Sequence, residues 1–546
     1  MTCHAKNVRP VIRITAGLVA AAIACVFASS LHAARTDGTL TITAVDEKTQ
    51  EPMAVRMELR DQRGRPVRIR PEGAIVAGDS LYFNGEVTLD LRRGAYTFLV
   101  EAGPEFPTRP GNFTIDRHAE DSAEVTLSRR VDMRKEGWWA GDLDVQVSLV
   151  DASLMMQARS IDFAPIAALV NDHGRCRKLK QPPGEDAGEP ASAGGESPLL
   201  FGPWATLDDR RGGGLLAIGA NPPVDVCQWK LDDPSLPSAD AARDAGAQIV
   251  ALTPFAWDLP IWIAAGKLDA VQVINRHSQQ NAANDNEGAG RPRDQAFFPG
   301  KFGNGRYSEI IYHHLLNCGL RLPPTAGSGA GAPPPGRKSS PDQARHSGSA
   351  SSWRTWSGLL GANRTYVHCG ETFTRETWIE GLRAGRVVVT NGPLLRTRVD
   401  GELPGYTFEL YDNERREFQI ALDLAFYEAN QVEYLEIVQN GKPIHQVRLD
   451  EFAKKKGKLP FVEFETSGWF LVRAVTNNPN VYQFASTGPF YVELNHEPRI
   501  SRASVQFFLT WLDEAAAKFA GNAPVLAEIE AARPFWEKHL ERANAD

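Results

Sequence analysis

Asp142, Asp144 and Gln146 occupy alternate positions in the string GDLDVQ. In an extended strand a period of two turns every second side chain to one face, so two carboxylates and an amide would converge on one point. Oxygen donors of this kind suit a hard cation such as Mg²⁺ or Ca²⁺. The amide is a poor partner for zinc or iron. His173, in NDHGR, follows an apolar run and either lines the rim of the same site or faces solvent. Arg291, Arg293 and Asp294, in GRPRD, can clamp a carboxylate or phosphate or form an internal ion pair. His313 and His314 are adjacent in a helical stretch, so they point about 100° apart and cannot share a metal. Trp138, Trp139, Trp257 and Trp262 read as core packing, with sugar stacking the alternative. The chain has no Gly-x-Ser-x-Gly elbow and no phosphate-cradling glycine loop.

These residues need a scaffold, and the patterning supplies one. Residues 35–130 alternate apolar and polar in short runs such as 39–45, 55–59, 87–91 and 96–100, with Gly, Pro, Asp and Arg at the joints. That is the signature of an antiparallel β-sandwich. Between 131 and 395, short apolar strands alternate with helical stretches such as Tyr307–Cys318 and Thr374–Ala384, the βα rhythm of a barrel or doubly wound sheet. Two low-complexity insertions, 181–198 and 326–352, carry too little apolar surface for a core and read as flexible surface loops. Alternation returns over 396–497, with an Asn440-Gly441 hairpin turn, as a second β-sandwich. In the tail 498–546, Val505, Phe508, Leu509, Leu512, Ala516 and Phe519 form one helical stripe, and a second helix follows around Pro534.

With 546 residues, 42% of them apolar and 23% charged, the chain is a multidomain globular protein. Residues 1–34 read as a cleaved secretory signal: Lys6, Arg9 and Arg13 precede the apolar stretch Ile14–Leu31, and Ala33 and Ala34 offer a cleavage site. The expected location is therefore secreted or periplasmic. Losing those three basic residues makes the formal net charge of -7 more negative still. That argues against nucleic acid and against an anionic membrane surface as partners. No later segment is long and apolar enough to span a bilayer, so the expected partner is a small molecule or an envelope protein. The remaining cysteines, Cys176, Cys227, Cys318 and Cys369, match no zinc spacing. They read as isolated buried thiols, with a Cys176–Cys227 bridge the alternative.

Several blocks carry a resemblance. GAYTFLVEAGPEF (94–106) resembles the carboxypeptidase-regulatory or transthyretin-like modules of secreted proteins. GWWAGDLDVQ (137–146), FAWDLPIWIAAGKLDAVQVINRH (255–277), GRPRD (290–294), RYSEIIYHHLLNCGLRLPPTAGSGAG (306–331) and WIEGLRAGRVVVTNGPLL (378–395) resemble, in order, the carbaryl-hydrolase-like branch of the PHP (polymerase and histidinol phosphatase) metallohydrolases. The resemblance implies a distorted (β/α)7 barrel whose metals sit at the carboxyl ends of the strands and activate water. It also implies a Asp-x-His-x-His slot where this chain has Asp142, Asp144 and Gln146. An acidic ligand would fall on Leu252, and a late ligand block on Gly329-Ala330-Gly331. His277 keeps a ligand-type side chain, and Asp142 and Asp258 survive as carboxylates.

The expected architecture is a PHP-like barrel flanked by two β-sandwiches and closed by C-terminal helices. The expected function is ligand or partner binding in a retained pocket by a member that has lost hydrolysis. No cofactor is expected beyond a divalent ion at the remnant formed by Asp142, Asp144, Gln146, Asp258 and His277. The alternative is an active hydrolase of esters, carbamates or phosphoesters with a rebuilt metal site.

Overall fold

The computed structural model describes residues 37–179, 199–211, 213–220, 222–278, 287–332, 358–426 and 431–546. The expected signal segment, the 181–198 insertion and the part of the second insertion from 333 to 352 lie outside them.

The first sandwich forms as its alternation dictates. A three-stranded sheet places Gly38–Asp46 between Glu86–Leu91 and Glu120–Leu127. A five-stranded sheet runs Ile75–Ala77, Ser80–Asn84, Ala54–Asp61, Gly94–Glu101 and Arg109–Ile115. Leu40, Ile42, Val55, Met57, Leu89 and Val100 fill the space between them. Inward residues alternate with exposed ones, most cleanly in Glu86–Leu91.

The middle of the chain builds a sheet that closes on itself. Its strands run in the order Trp138–Gly141, Phe163–Asp172, Leu200–Asp209, Leu215–Ile218, Gln248–Ala251, Ala270–Ile274 and Pro324–Ala326. All pairings are parallel except those of Leu215–Ile218, which is antiparallel to both neighbours. Val145, just past the first strand, bridges both Ile166 and Ala330, so the two ends of the run meet. Trp139, Leu143, Phe163, Leu207, Leu216, Val250, Leu252 and Trp378 pack together in one buried cluster. The tryptophans at 138, 139, 257 and 262 are all buried, as core packing requires.

The same sheet continues past the closed part. Arg364–His368 pairs with Trp138–Gly141, then Val387–Thr390, Phe484–Thr487, Gly468–Thr476, Val432–Gln439 and Lys442–Arg448 follow. The later strands belong to the C-terminal β-rich region, so that region and the closed sheet share one hydrogen-bonded ladder. Asn440 and Gly441, both at positive φ, make the two-residue turn between its last two strands. The tail folds as two helices, Arg502–Lys518 and Ala523–Glu541. Ser501 caps the first helix by accepting from the Ser504 amide. Phe508, Trp511 and Trp536 join the core that contains Ile261 and Trp262. Among the described residues, no helix is long and apolar enough to cross a membrane.

One sequence expectation is corrected here. The second insertion does not begin at 326. Gly327 to Ala330 are buried, and Ala330 pairs with Val145 and Gly358. Its small residues permit close approach of backbones, which composition alone presents as looseness. A Cβ on Gly331 would lie 2.5 Å from the Gln146 carbonyl oxygen, and one on Gly327 2.4 Å from Gln272 Oε1.

Candidate functional site at the carboxyl end of the closed sheet

Asp142 is fully buried and bound on both oxygens. Its Oδ1 accepts from the amides of Ser328 (2.9 Å) and Asp144 (3.2 Å), and its Oδ2 from the amide of Gly361 (2.8 Å). It braces two loops that come from nearly two hundred residues further along the chain. Burial pushes its pKa up to about 6, against the opposing pull of those hydrogen bonds.

Asp144 and Gln146 share a face, as the period-two spacing requires. Gln146 Nε2 donates to Asp144 Oδ1 at 3.0 Å. The other oxygen of Asp144 accepts from Arg276 Nε and lies 3.1 Å from Arg276 Nη2. Arg276 Nη1 reaches Asp209 Oδ2, 3.2 Å away, at the end of the Leu200–Asp209 strand. The guanidinium therefore sits between two carboxylates presented from two strand ends. Burial disfavours the charge on Arg276, but Asp144, Asp209 and Asp172 outweigh that and hold its pKa above the ordinary value. Burial also raises Asp209, with Arg276 pulling the other way.

The hairpin that joins Phe163–Asp172 to Arg175–Lys178 adds a third group. His173 has the positive φ of a tight turn, and its Nδ1 lies 2.7 Å from Asp172 Oδ1. Its backbone amide donates to the Asp209 carbonyl, which fixes the hairpin over the rim. The Asp172 contact raises the His173 pKa; burial opposes it. Four residues on, Arg177 Nη2 donates to Gln146 Oε1 at 2.5 Å. The Cys176–Cys227 disulfide ties this hairpin to the turn at Val226–Gln228, so these two cysteines are not isolated thiols. Asn171 Nδ2 reinforces the tie by donating to the carbonyls of Val226 and Trp229. Cys318 is a buried free thiol and Cys369 a half-buried one.

The remaining candidates make other contacts. Asp258 Oδ2 pairs with Arg211, 2.6 Å from its Nη2. His277 sets its ring edge-on against Phe255 and places Nδ1 3.5 Å from Asn304 Nδ2. The neighbouring residue, Arg276, is the one that reaches Asp144. Arg291 bonds Glu514 and Tyr307 and lies over the rings of Phe507 and Trp511, tying the middle of the chain to the tail. Arg293 is buried against Glu287, Asn304 and the Phe298 carbonyl, and Asp294 caps a turn through the Ala296 amide. GRPRD is therefore an internal brace rather than a ligand clamp. His313 packs on Trp469 and His314 stacks on Phe507. Leu252 is core, and Ala330 is a strand-bridge residue.

Arg276, Asp209 and Arg177 escaped the sequence reading. For Asp209 and Arg276 the one local signal is a charge placed after an apolar run: Asp208-Asp209 after ATL, Asn275-Arg276 after VQVI; Arg177 has none. The donor set fits a transition metal badly. Asp144 already receives a guanidinium, Gln146 presents an amide, and no imidazole is aimed at either. Among the described residues, no group of three or more His, Cys, Asp or Glu converges as metal ligands would.

No family model and no curated protein matches the chain. Among solved structures, it is similar to the Bacillus anthracis TIE protein at 20% identity and a TM-score of 0.14, over 21% of this chain and 20% of that protein's length. It is similar to fibronectin(III)-like modules of Clostridium thermocellum CbhA at 14% identity and a TM-score of 0.13, over 18% of this chain and 98% of that one. A Parabacteroides merdae β-glucuronidase aligns over 82% of this chain and 61% of its own, at 9% identity and a TM-score of 0.17.

Proposed function

We propose that the chain is a degenerate, non-hydrolytic relative of the PHP metallohydrolases that keeps the carboxyl-end rim of its closed sheet as a binding site for a ligand or partner. The observation that carries this reading is Arg276. A guanidinium between Asp144 and Asp209 supplies the positive charge that a divalent ion would otherwise bring to those carboxylates. A permanently charged side chain on the chain itself cannot lower the pKa of a bound water as a metal does. The family-like sequence blocks and the run of mostly parallel strands support the relationship. The Cys176–Cys227 bridge supports export to an oxidising compartment.

The test is elemental analysis of purified protein, together with assays on aryl esters, carbamates and phosphoesters. The expected result is transition metal far below one equivalent and no turnover above background. The triple variant Asp144→His, Gln146→His, Arg276→Ser is expected to gain metal affinity by acquiring two imidazoles and losing the resident cation. Near-stoichiometric metal in the wild type, with hydrolysis lost on chelation, would establish the alternative of a working hydrolase with a rebuilt site.

A further inference from the structure

Arg276, Arg177 and His173 stand together at this rim, and two of them have carboxylate partners. Arg276 is held by Asp144 and Asp209, and His173 by Asp172. Arg177 differs. Among the described residues its side chain makes a single hydrogen bond, from Nη2 to the neutral amide oxygen of Gln146. Its Nε is buried without a partner, and the side chain as a whole is half-buried. Among the described residues it makes no direct ion pair; Asp172, Asp144 and Asp209 act on it only from further away, and a guanidinium taken this far out of water is ordinarily paired directly. Burial, helped by the like charge of Arg276, draws its pKa below the ordinary value, while Asp172, Asp144 and Asp209 act against that.

The residue is also held in place before any ligand arrives. The disulfide at Cys176, the adjacent position, fixes its strand, and Asn171 and the His173 amide fix the other arm of the hairpin. Preorganisation of this kind lowers the entropic cost of binding. A guanidinium fork with unused N–H groups matches the paired oxygens of a carboxylate or phosphate.

Resting on the reading of the rim as a binding site, we propose that Arg177 anchors a small ligand through an oxyanion, either a carboxylate or a phosphate group. Gln146 holds one side of the guanidinium, and His173, with 48% of its side chain exposed, stands on the same hairpin.

Calorimetric titration of the full chain with inorganic phosphate, with malonate, and with sodium chloride at equal ionic strength tests this. One oxyanion is expected to bind with a dissociation constant of about 1 mM or tighter, and chloride not to bind. Which probe binds tells phosphate from carboxylate. Arg177→Gln is expected to weaken binding about tenfold or more, and Arg177→Lys, which keeps the charge and loses the fork, to weaken it as well. Lys178→Gln removes an equal charge from the next, exposed position and is expected to change nothing. The proposal is overturned if neither oxyanion binds, if Arg177→Gln retains wild-type affinity, or if the 177 and 178 variants lose affinity equally. Those results leave the degenerate-site reading standing, because that reading is decided separately by metal content and turnover.

Discussion

Two of the arginine clusters in this molecule differ in a way that separates holding from binding. At the seam between the first sandwich and the closed sheet, Arg56 and Arg159 both donate to Glu101 Oε2 at 2.6 Å. Arg364 donates to the carbonyls of Gly361, Ser160 and Arg159. Arg56 and Arg364 are each 2% exposed. A shallow cleft adjoins them, lined by Phe106, Thr108 and Asn391, yet the arginines beside it are committed to carboxylate and backbone acceptors. At the carboxyl-end rim Arg177 is only partly committed among the described residues, and His173 beside it reaches solvent. A saturated cluster fixes two domains together; an unsaturated one at an opening has bonding capacity left for a ligand.

The comparison predicts a ranking of effects. The largest belongs to the seam. Glu101→Ala strips the shared carboxylate from two buried guanidiniums and is expected to cost about 3–5 kcal/mol, read by denaturant unfolding. A loss as small as that of a surface substitution would show that the seam is not held by its charges.

Next comes Asp142→Ala, which orphans three buried amides and is expected to cost about 3 kcal/mol. Its pH signature has a definite sign. The folded pKa stands near 6 against an ordinary 3.8, so the folded state binds the extra proton between those values. The contribution of Asp142 to stability therefore falls as pH rises from 3.8 to about 6. Asp142→Asn is expected to remove that slope from a pH series of melting curves.

Arg276→Gln should cost less, about 2 kcal/mol, because Asp209 is raised by burial and can take up a proton when its cation is lost. The sharper readout is that millimolar Mg²⁺ or Ca²⁺ should raise the melting temperature of this variant and leave the wild type unmoved. Equal responses in the two proteins would refute the idea that Arg276 fills the place of a cation.

The smallest effect is that of His173. Its raised pKa gives stability that is full below its unfolded value and lost as pH climbs through the folded one. His173→Ala should flatten the decline of stability as pH rises from 6.5 by a small amount, since the ring is half exposed. A steep loss at low pH in this variant would show another role.

Much of the fold could be read along the chain. The runs at 39–45, 55–59, 87–91 and 96–100 fall within Gly38–Asp46, Ala54–Asp61, Glu86–Leu91 and Gly94–Glu101. The stretch 307–318 lies almost wholly within the helix Gly303–Asn317. These signals are local: alternation, caps and turn residues. The site was legible only as far as its spacing, which put Asp144 and Gln146 side by side. The partner of Asp144 lies 132 residues away, where no local pattern points to it. The choice between Arg276 and His277 turned on which face of Ala270–Ile274 looks inward. Every residue of that strand is buried, and a strand buried on both faces carries no polarity from which its inward side can be read. The glycines at 327, 329 and 331 misled for a related reason: composition does not distinguish a loose loop from a backbone pressed against its neighbour.

The ladder from Val387–Thr390 to Phe484–Thr487 bears on how such a chain matures. Val387, Val388 and Val389 are fully buried, and one side of their strand is covered by residues almost a hundred positions later. A chain that has emerged only to residue 400 would present that strand as an apolar, unpaired edge, the kind of surface on which nascent chains associate. The middle of the protein therefore cannot finish folding ahead of its end. For a chain delivered across a membrane before it folds, that order carries no penalty. Folding during synthesis would leave the edge open while the remaining strands are still being made.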